Sequence, residues 1–123
     1  MDIIAELTWR EQINQMTDDE HIAAWLGQKM RTIYVGFDPT ADSLHVGHLV
    51  AVMTLRRFQQ AGHRPIALVG GATGMIGDPS GKSEERKLLS VDVLQANVAG
   101  MANQLRRFLD FDCGANSALM ENN

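Results

Sequence analysis

The chain has 123 residues, 45% of them hydrophobic and 21% charged, which fits one globular domain or part of one. Its formal net charge of −4 excludes an overall electrostatic footprint for nucleic acid, so any anion it binds must be held by local features. The single cysteine, Cys113, excludes an internal disulfide and a Cys-rich zinc site, and a reducing, cytoplasmic setting is expected. Met1 to Glu6 has no basic segment leading into a long apolar run, and the longest apolar run, Leu49 to Met53, is short. Neither a signal peptide nor a membrane span is expected.

Along the chain, Ile3, Ile4, Leu7 and Ile13 recur at roughly helical spacing and predict a helix within residues 2–15. Thr17-Asp18-Asp19-Glu20 reads as a capping box opening a second helix, with Ile22, Trp25 and Leu26 on its buried side. Both tryptophans are expected to be structural. Thr32 to Phe37 is a short, β-rich apolar run and predicts a strand. Asp38 to Ser43 is turn-rich and ends in good N-cap residues. A helix should follow from about Leu44 to Ala61 and stop at Gly62. Its first turns are apolar on nearly all sides, so burial is expected there. Its exit carries Arg56, Arg57, Gln59 and Gln60.

Ile66 to Val69 is a wholly apolar second strand, as a central parallel strand should be. A glycine-rich loop, Gly70 to Gly81, leads into a charged stretch over 82–90 that is expected to be mobile. Ser90 is placed to cap a helix of about 91–109, with Leu94, Val98, Met101, Leu105 and Phe108 on one stripe. A last strand is expected around Ala118 to Glu121. The alternation predicts an α/β fold: the first half of a Rossmann-like doubly wound parallel sheet (βαβαβ), preceded by two short helices. Residues 1–31 would be the amino-terminal helices and 32–123 the first half of a nucleotide-binding catalytic domain. In that topology the first strand is central, and the other half of the sheet pairs with its free edge.

Two stretches carry chemistry. His45-Val46-Gly47-His48 follows a strand and sits at a helix start, where unpaired N–H groups and the helix dipole favour anions. Gly47 lets a flat base lie against the backbone, and the two histidines share a helix face. By itself an HxxH pair is more commonly two satisfied core histidines. A metal reading is weaker, because the glutamate of H-E-x-x-H and a third ligand are lacking. The second stretch, Gly70 to Ser83, resembles a phosphate loop. However, Gly77 and Gly81 enclose three residues where that motif has four. What remains is a glycine loop at the carboxyl end of a strand, carrying one carboxylate, Asp78. Asp78-Pro79-Ser80-Gly81 is equally well a plain turn. Lys82, Arg86 and Lys87 beside it read as a solvated surface or as a polyphosphate clamp.

Together these residues resemble the class I aminoacyl-tRNA synthetases, and within them the bacterial tyrosyl-tRNA synthetase family. The resemblance covers essentially the whole chain and rests on three blocks. They are Tyr34-Val35-Gly36-Phe37-Asp38-Pro39-Thr40-Ala41-Asp42-Ser43-Leu44-His45-Val46-Gly47-His48, then Phe58-Gln59-Gln60-Ala61-Gly62-His63, and then Ala67 through Ser80. Phe108-Leu109-Asp110-Phe111-Asp112 is similar as well.

The resemblance implies a tyrosine–tRNA ligase: L-tyrosine and ATP form tyrosyl-adenylate, and the acyl group passes to tRNA(Tyr). It implies that Thr40 and His45 hold the terminal phosphates. Gly36, Asp38, Gly47 and His48 line the ATP site. Tyr34 bonds the substrate phenol, Asp78 pairs with its α-ammonium, and Lys82 and Arg86 close over the leaving pyrophosphate. Mg2+ is expected with ATP, with no protein ligands for a metal, and a homodimer is expected for the complete protein. Val46 stands where isoleucine or leucine is common. Val35 meets ATP through its backbone, and Ala51 lacks a hydroxyl that some relatives place near the ribose. No lysine-rich KMSKS signature occurs in the sequence. The chain is therefore expected to be an amino-terminal fragment, inactive alone, with tRNA contacts outside it. Two other readings stay open: a fragment that binds ATP weakly without turnover, and another HxGH nucleotidyltransferase, for which the Gly70–Ser80 block has no explanation.

Overall fold

In the computed structural model, residues 2–37, 44, 46–70 and 91–122 are described. Three short strands form one parallel sheet: β1 (Thr32–Phe37), β2 (Arg64–Val69) and β3 (Leu119–Asn122), in the order β1-β2-β3. Helices α3 (Val46–Gln60) and α4 (Val91–Leu105) connect them, and α1 (Ile3–Trp9) and α2 (Ile22–Gln28) precede them. This is the first half of a doubly wound sheet, as the alternation predicts.

The core lies on one face of the sheet. Phe37 and Ala67 point there from the strands, and Val52 and Leu55 from α3. Met101 and Leu105 come from α4, at the helical spacing that puts both on one side. Each of these side chains larger than alanine contributes about 1.5–3 kcal/mol by leaving water. The other face is open, with Tyr34 68% exposed.

β2 starts at Arg64, earlier than the expected Ile66, and so contains Pro65. The Arg64 N–H donates to the Arg31 carbonyl on the β1 side (2.9 Å). Pro65, next along, therefore turns its donorless nitrogen toward β3, whose ladder begins only opposite Ile66.

Both α1 and α3 end in the same hydrogen-bond pattern. After α3, Gly62 N–H reaches the Gln59 carbonyl and His63 N–H the Phe58 carbonyl, each at 2.9 Å, with Gly62 at φ 98°. After α1, Glu11 N–H reaches the Thr8 carbonyl and Gln12 N–H the Leu7 carbonyl, with Glu11 at φ 57°. Both are Schellman caps, and the second places a glutamate where glycine is usual. This cap cuts α1 short, so Ile13 lies in the following loop rather than in the helix expected over 2–15.

The amino-terminal helices differ from expectation in two further ways. No capping box opens α2. It starts at Ile22, with His21 at the cap position making no side-chain cap bond. Asp18 instead accepts from the His21 ring at 3.0 Å, and its carbonyl accepts the Ile22 N–H. The tryptophans are exposed, Trp9 at 76% and Trp25 at 44%. Each ring is faced by a guanidinium, Arg10 at 5.4 Å and Arg31 at 4.0 Å. Burial falls to Ile3, Leu7 and Leu26, which pack on Phe58 of α3.

Gln59 is buried and ties α3 to the segment before β3. Its side-chain nitrogen donates to the carbonyls of Asp110 (2.7 Å) and Asn116 (3.1 Å), and its oxygen accepts the Asp110 N–H (2.9 Å). Asn116 returns a bond to the Gln59 carbonyl at 3.1 Å. Beside it, Arg56 donates to the Phe108 carbonyl at 3.0 Å, and Arg57 reaches Gln12, also at 3.0 Å.

Candidate active site

The strands are parallel, so their carboxyl ends lie together, and Gly70 N–H closes that end on the Phe37 carbonyl at 2.8 Å. α3 starts near this edge. Phe37, buried at the end of β1, meets His48 in its first turns, ring centroids 5.9 Å apart and planes at 75°. This edge-to-face contact joins a strand end to a helix start, the place where sheets of this type bind ligands.

Tyr34 and Gly36 alternate with the inward Ile33, Val35 and Phe37 and face the open side. Among the described residues, a Cβ at Gly36 meets nothing within 4 Å. Val46 and Gly47 are exposed, and His48 is half-buried. The structure thus gathers Gly36, Phe37 and His48 around the β1–α3 junction, with Tyr34 further back along β1. Asp38, Thr40, His45, Asp78, Lys82 and Arg86 lie outside the described residues, as do Lys87 and Ser90.

The first turns of α3 are not buried as expected. Val46 is 84% exposed and Val50 62%, because the buried side of the helix is formed by Val52, Leu55, Phe58 and Gln59 further along it. Leu44 N–H donates to the side-chain oxygen of Gln104, which comes from the last turn of α4. Leu44, Val46, Leu49, Val52, Gln104 and Phe108 line a groove of about 270 Å³ beside this turn. A wider concavity of about 670 Å³, around Arg56, Arg107 and Asp110, lies by the far end of α3, away from His48. Phe37 and Gln104 were not singled out by sequence reasoning. Phe37 lies within a motif block, but nothing local marks Gln104.

Among the described residues, no group of three or more His, Cys, Asp or Glu could hold a metal ion. None of their helices is long and apolar enough to cross a membrane.

A parallel βαβαβ sheet with Gly47 and His48 in the first turn of the helix at its carboxyl edge defines the first half of a doubly wound α/β fold, and the family follows. The chain belongs to the tRNA synthetases class I (W and Y), whose family model matches residues 27–122. Its similarity is to tyrosine–tRNA ligases: it is 64% identical to that of Rhodopirellula baltica over 121 residues and 57% identical to that of Geobacillus stearothermophilus over 123. These alignments cover 98% and 100% of this chain but 27% and 29% of the relatives. Among solved structures, a C-terminally truncated Aspergillus nidulans mitochondrial tyrosyl-tRNA synthetase superposes with a TM-score of 0.83 at 29% identity. That match covers 99% of this chain and 37% of the other. The chain therefore spans less than a third of the curated relatives it matches.

Proposed function

We propose that this chain carries the nucleotide-side part of a tyrosine-activating site. The reaction is attack of the tyrosine carboxylate on the α-phosphate of ATP, releasing pyrophosphate. A terminal ribose hydroxyl of tRNA(Tyr) then takes the acyl group and releases AMP. A carboxylate is ionised at neutral pH, so the first step needs no strong base. Catalysis rests on alignment and on stabilising charge as it builds on the polyphosphate.

Gly36, Asp38, Gly47 and His48 line the ATP site in this reading. Thr40, His45, Lys82 and Arg86 hold the phosphates. Tyr34 bonds the phenol of tyrosine, and Asp78 pairs with its ammonium. The half-buried His48, held edge-on by Phe37, can keep a ring nitrogen toward a ribose or phosphate oxygen. Mg2+ would arrive on the ATP phosphates. No described cluster is suited to hold it, and no step here depends on it. A homodimer, a cytoplasmic location and tRNA contacts made outside this chain belong to the same proposal.

The observation that carries the reading is the continuous family match over 27–122. The test joins this chain to the remainder of the Geobacillus stearothermophilus relative and measures ATP–pyrophosphate exchange with tyrosine or tryptophan. Tyrosine-dependent exchange is expected. Exchange that follows tryptophan instead, or no exchange from a folded chimera, would overturn the assignment.

A further inference from the structure

We propose that Gln104 is a positioning residue for the candidate site, fixing the start of α3 through the backbone of Leu44. The inference rests on the nucleotide-site reading above for its functional consequence, but its structural content stands by itself.

The first turns of α3 have little apolar packing to hold them. Val46, Leu49 and Val50 are exposed, His48 and Ala51 are half-buried, and the first fully buried residue of α3 is Val52. Something else must fix the turn that carries the HxGH residues. One contact is the Phe37–His48 ring pair inside the turn. Another is the bond from the Leu44 N–H to Gln104, 60 residues away and just ahead of His45. Leu44 precedes the helix, so its N–H is outside the helical ladder and depends on such a partner.

Both ends of this bond are anchored in the same core. Met101 and Leu105 flank Gln104 in α4 and are buried, and the Leu44 side chain packs against the cluster they belong to. The bond is therefore a brace between a rigid helix end and a poorly packed helix start. Near-attack geometry is sensitive at this scale, where a misplacement of about 1 Å can cost about a hundredfold in rate.

The test compares the 123-residue chain with Gln104→Met, which keeps length and helix propensity but loses the acceptor, and with Gln104→Glu, which keeps an acceptor oxygen. Hydrogen exchange of the Leu44 amide is followed by NMR, thermal unfolding is recorded in parallel, and affinity is measured for a fluorescent ATP analogue. Gln104→Met should speed Leu44 exchange about tenfold, the equivalent of one hydrogen bond. It should weaken the analogue several-fold with little change in melting temperature, and Gln104→Glu should restore Leu44 protection. Unchanged exchange in Gln104→Met, or protection that Gln104→Glu fails to restore, would overturn the brace. Lost protection with unchanged analogue affinity would overturn its link to the site. If neither the unaltered chain nor its chimera with the Geobacillus stearothermophilus remainder binds the analogue, the nucleotide reading fails, while the exchange data still decide the brace.

Discussion

The buried ring of Phe37 stands edge-on to the imidazole of His48, centroids 5.9 Å apart, so the last residue of β1 braces a helix residue eleven positions on. Phe37→Leu keeps an apolar side chain and removes the ring. It should shift the His48 ring resonances in an NMR spectrum and lower unfolding free energy by about 1 kcal/mol, the usual worth of an aromatic pair. Unshifted His48 signals would show that the contact does not set the ring.

The two Schellman caps make opposite predictions. Glu11 holds a left-handed conformation that costs a non-glycine residue about 1 kcal/mol, so Glu11→Gly should raise stability by roughly that amount. Gly62→Ala should lower it by a similar amount. Among the described residues a Cβ at Gly62 meets nothing within 4 Å, so the loss is one of backbone conformation. Urea titrations of both variants provide the check.

Gln59 satisfies Asp110 on both its backbone groups. Gln59→Met keeps the volume and leaves the Asp110 N–H without its acceptor, while the Asp110 carbonyl keeps the Ala118 N–H at 2.8 Å, so the cost should be roughly 1–2 kcal/mol in unfolding free energy. The amides of the segment before β3 should lose exchange protection first.

His63 links stability to pH. Its buried ring accepts the Arg31 N–H at Nδ1 (2.9 Å), which requires the neutral form. Burial, and then the Arg31 charge, push its pKa below the usual value. The unfolded chain therefore takes up the proton more readily. The contribution is fully present above about pH 6.5, falls as the pH drops below that, and levels off below the folded pKa. His63→Asn offers a neutral acceptor, so urea midpoints at pH 7.5 and 5.5 should differ less in the variant than in the parent. An equal difference in both would remove His63 from the effect.

The 123-residue chain alone should not support tyrosine-dependent ATP–pyrophosphate exchange near the rate of a full-length relative, since it spans 27–29% of two such relatives. Exchange at a comparable rate from the purified chain would refute this.

The sheet was legible because β1 and β2 are short apolar runs, and Gly62 marked the end of α3 by its residue type alone. Where the sequence misled, the residues carried no direction. The first turns of α3 are apolar all round, so periodicity cannot say which side meets the core. Trp25 has the right spacing for burial, yet lies beneath Arg31. Glu11 ends α1 in a conformation that glutamate does not advertise. The contacts of Gln59 and Gln104 reach across 51 and 60 residues and leave no local pattern. Of the residues singled out, Tyr34 and Gly36 lie on the strand, and Gly47 and His48 at the start of the helix, that the apolar pattern predicts.

Pro65 has a consequence for how the sheet assembles. With its donorless nitrogen turned toward β3, it acts as a keyway in the strand. Were β3 to slide past its observed start opposite Ile66, one of its carbonyls would arrive where nothing can receive it. The third strand of the sheet is in this way indexed by its neighbour: one end of its travel is blocked by the chemistry of a single residue, independently of what its own four residues prefer.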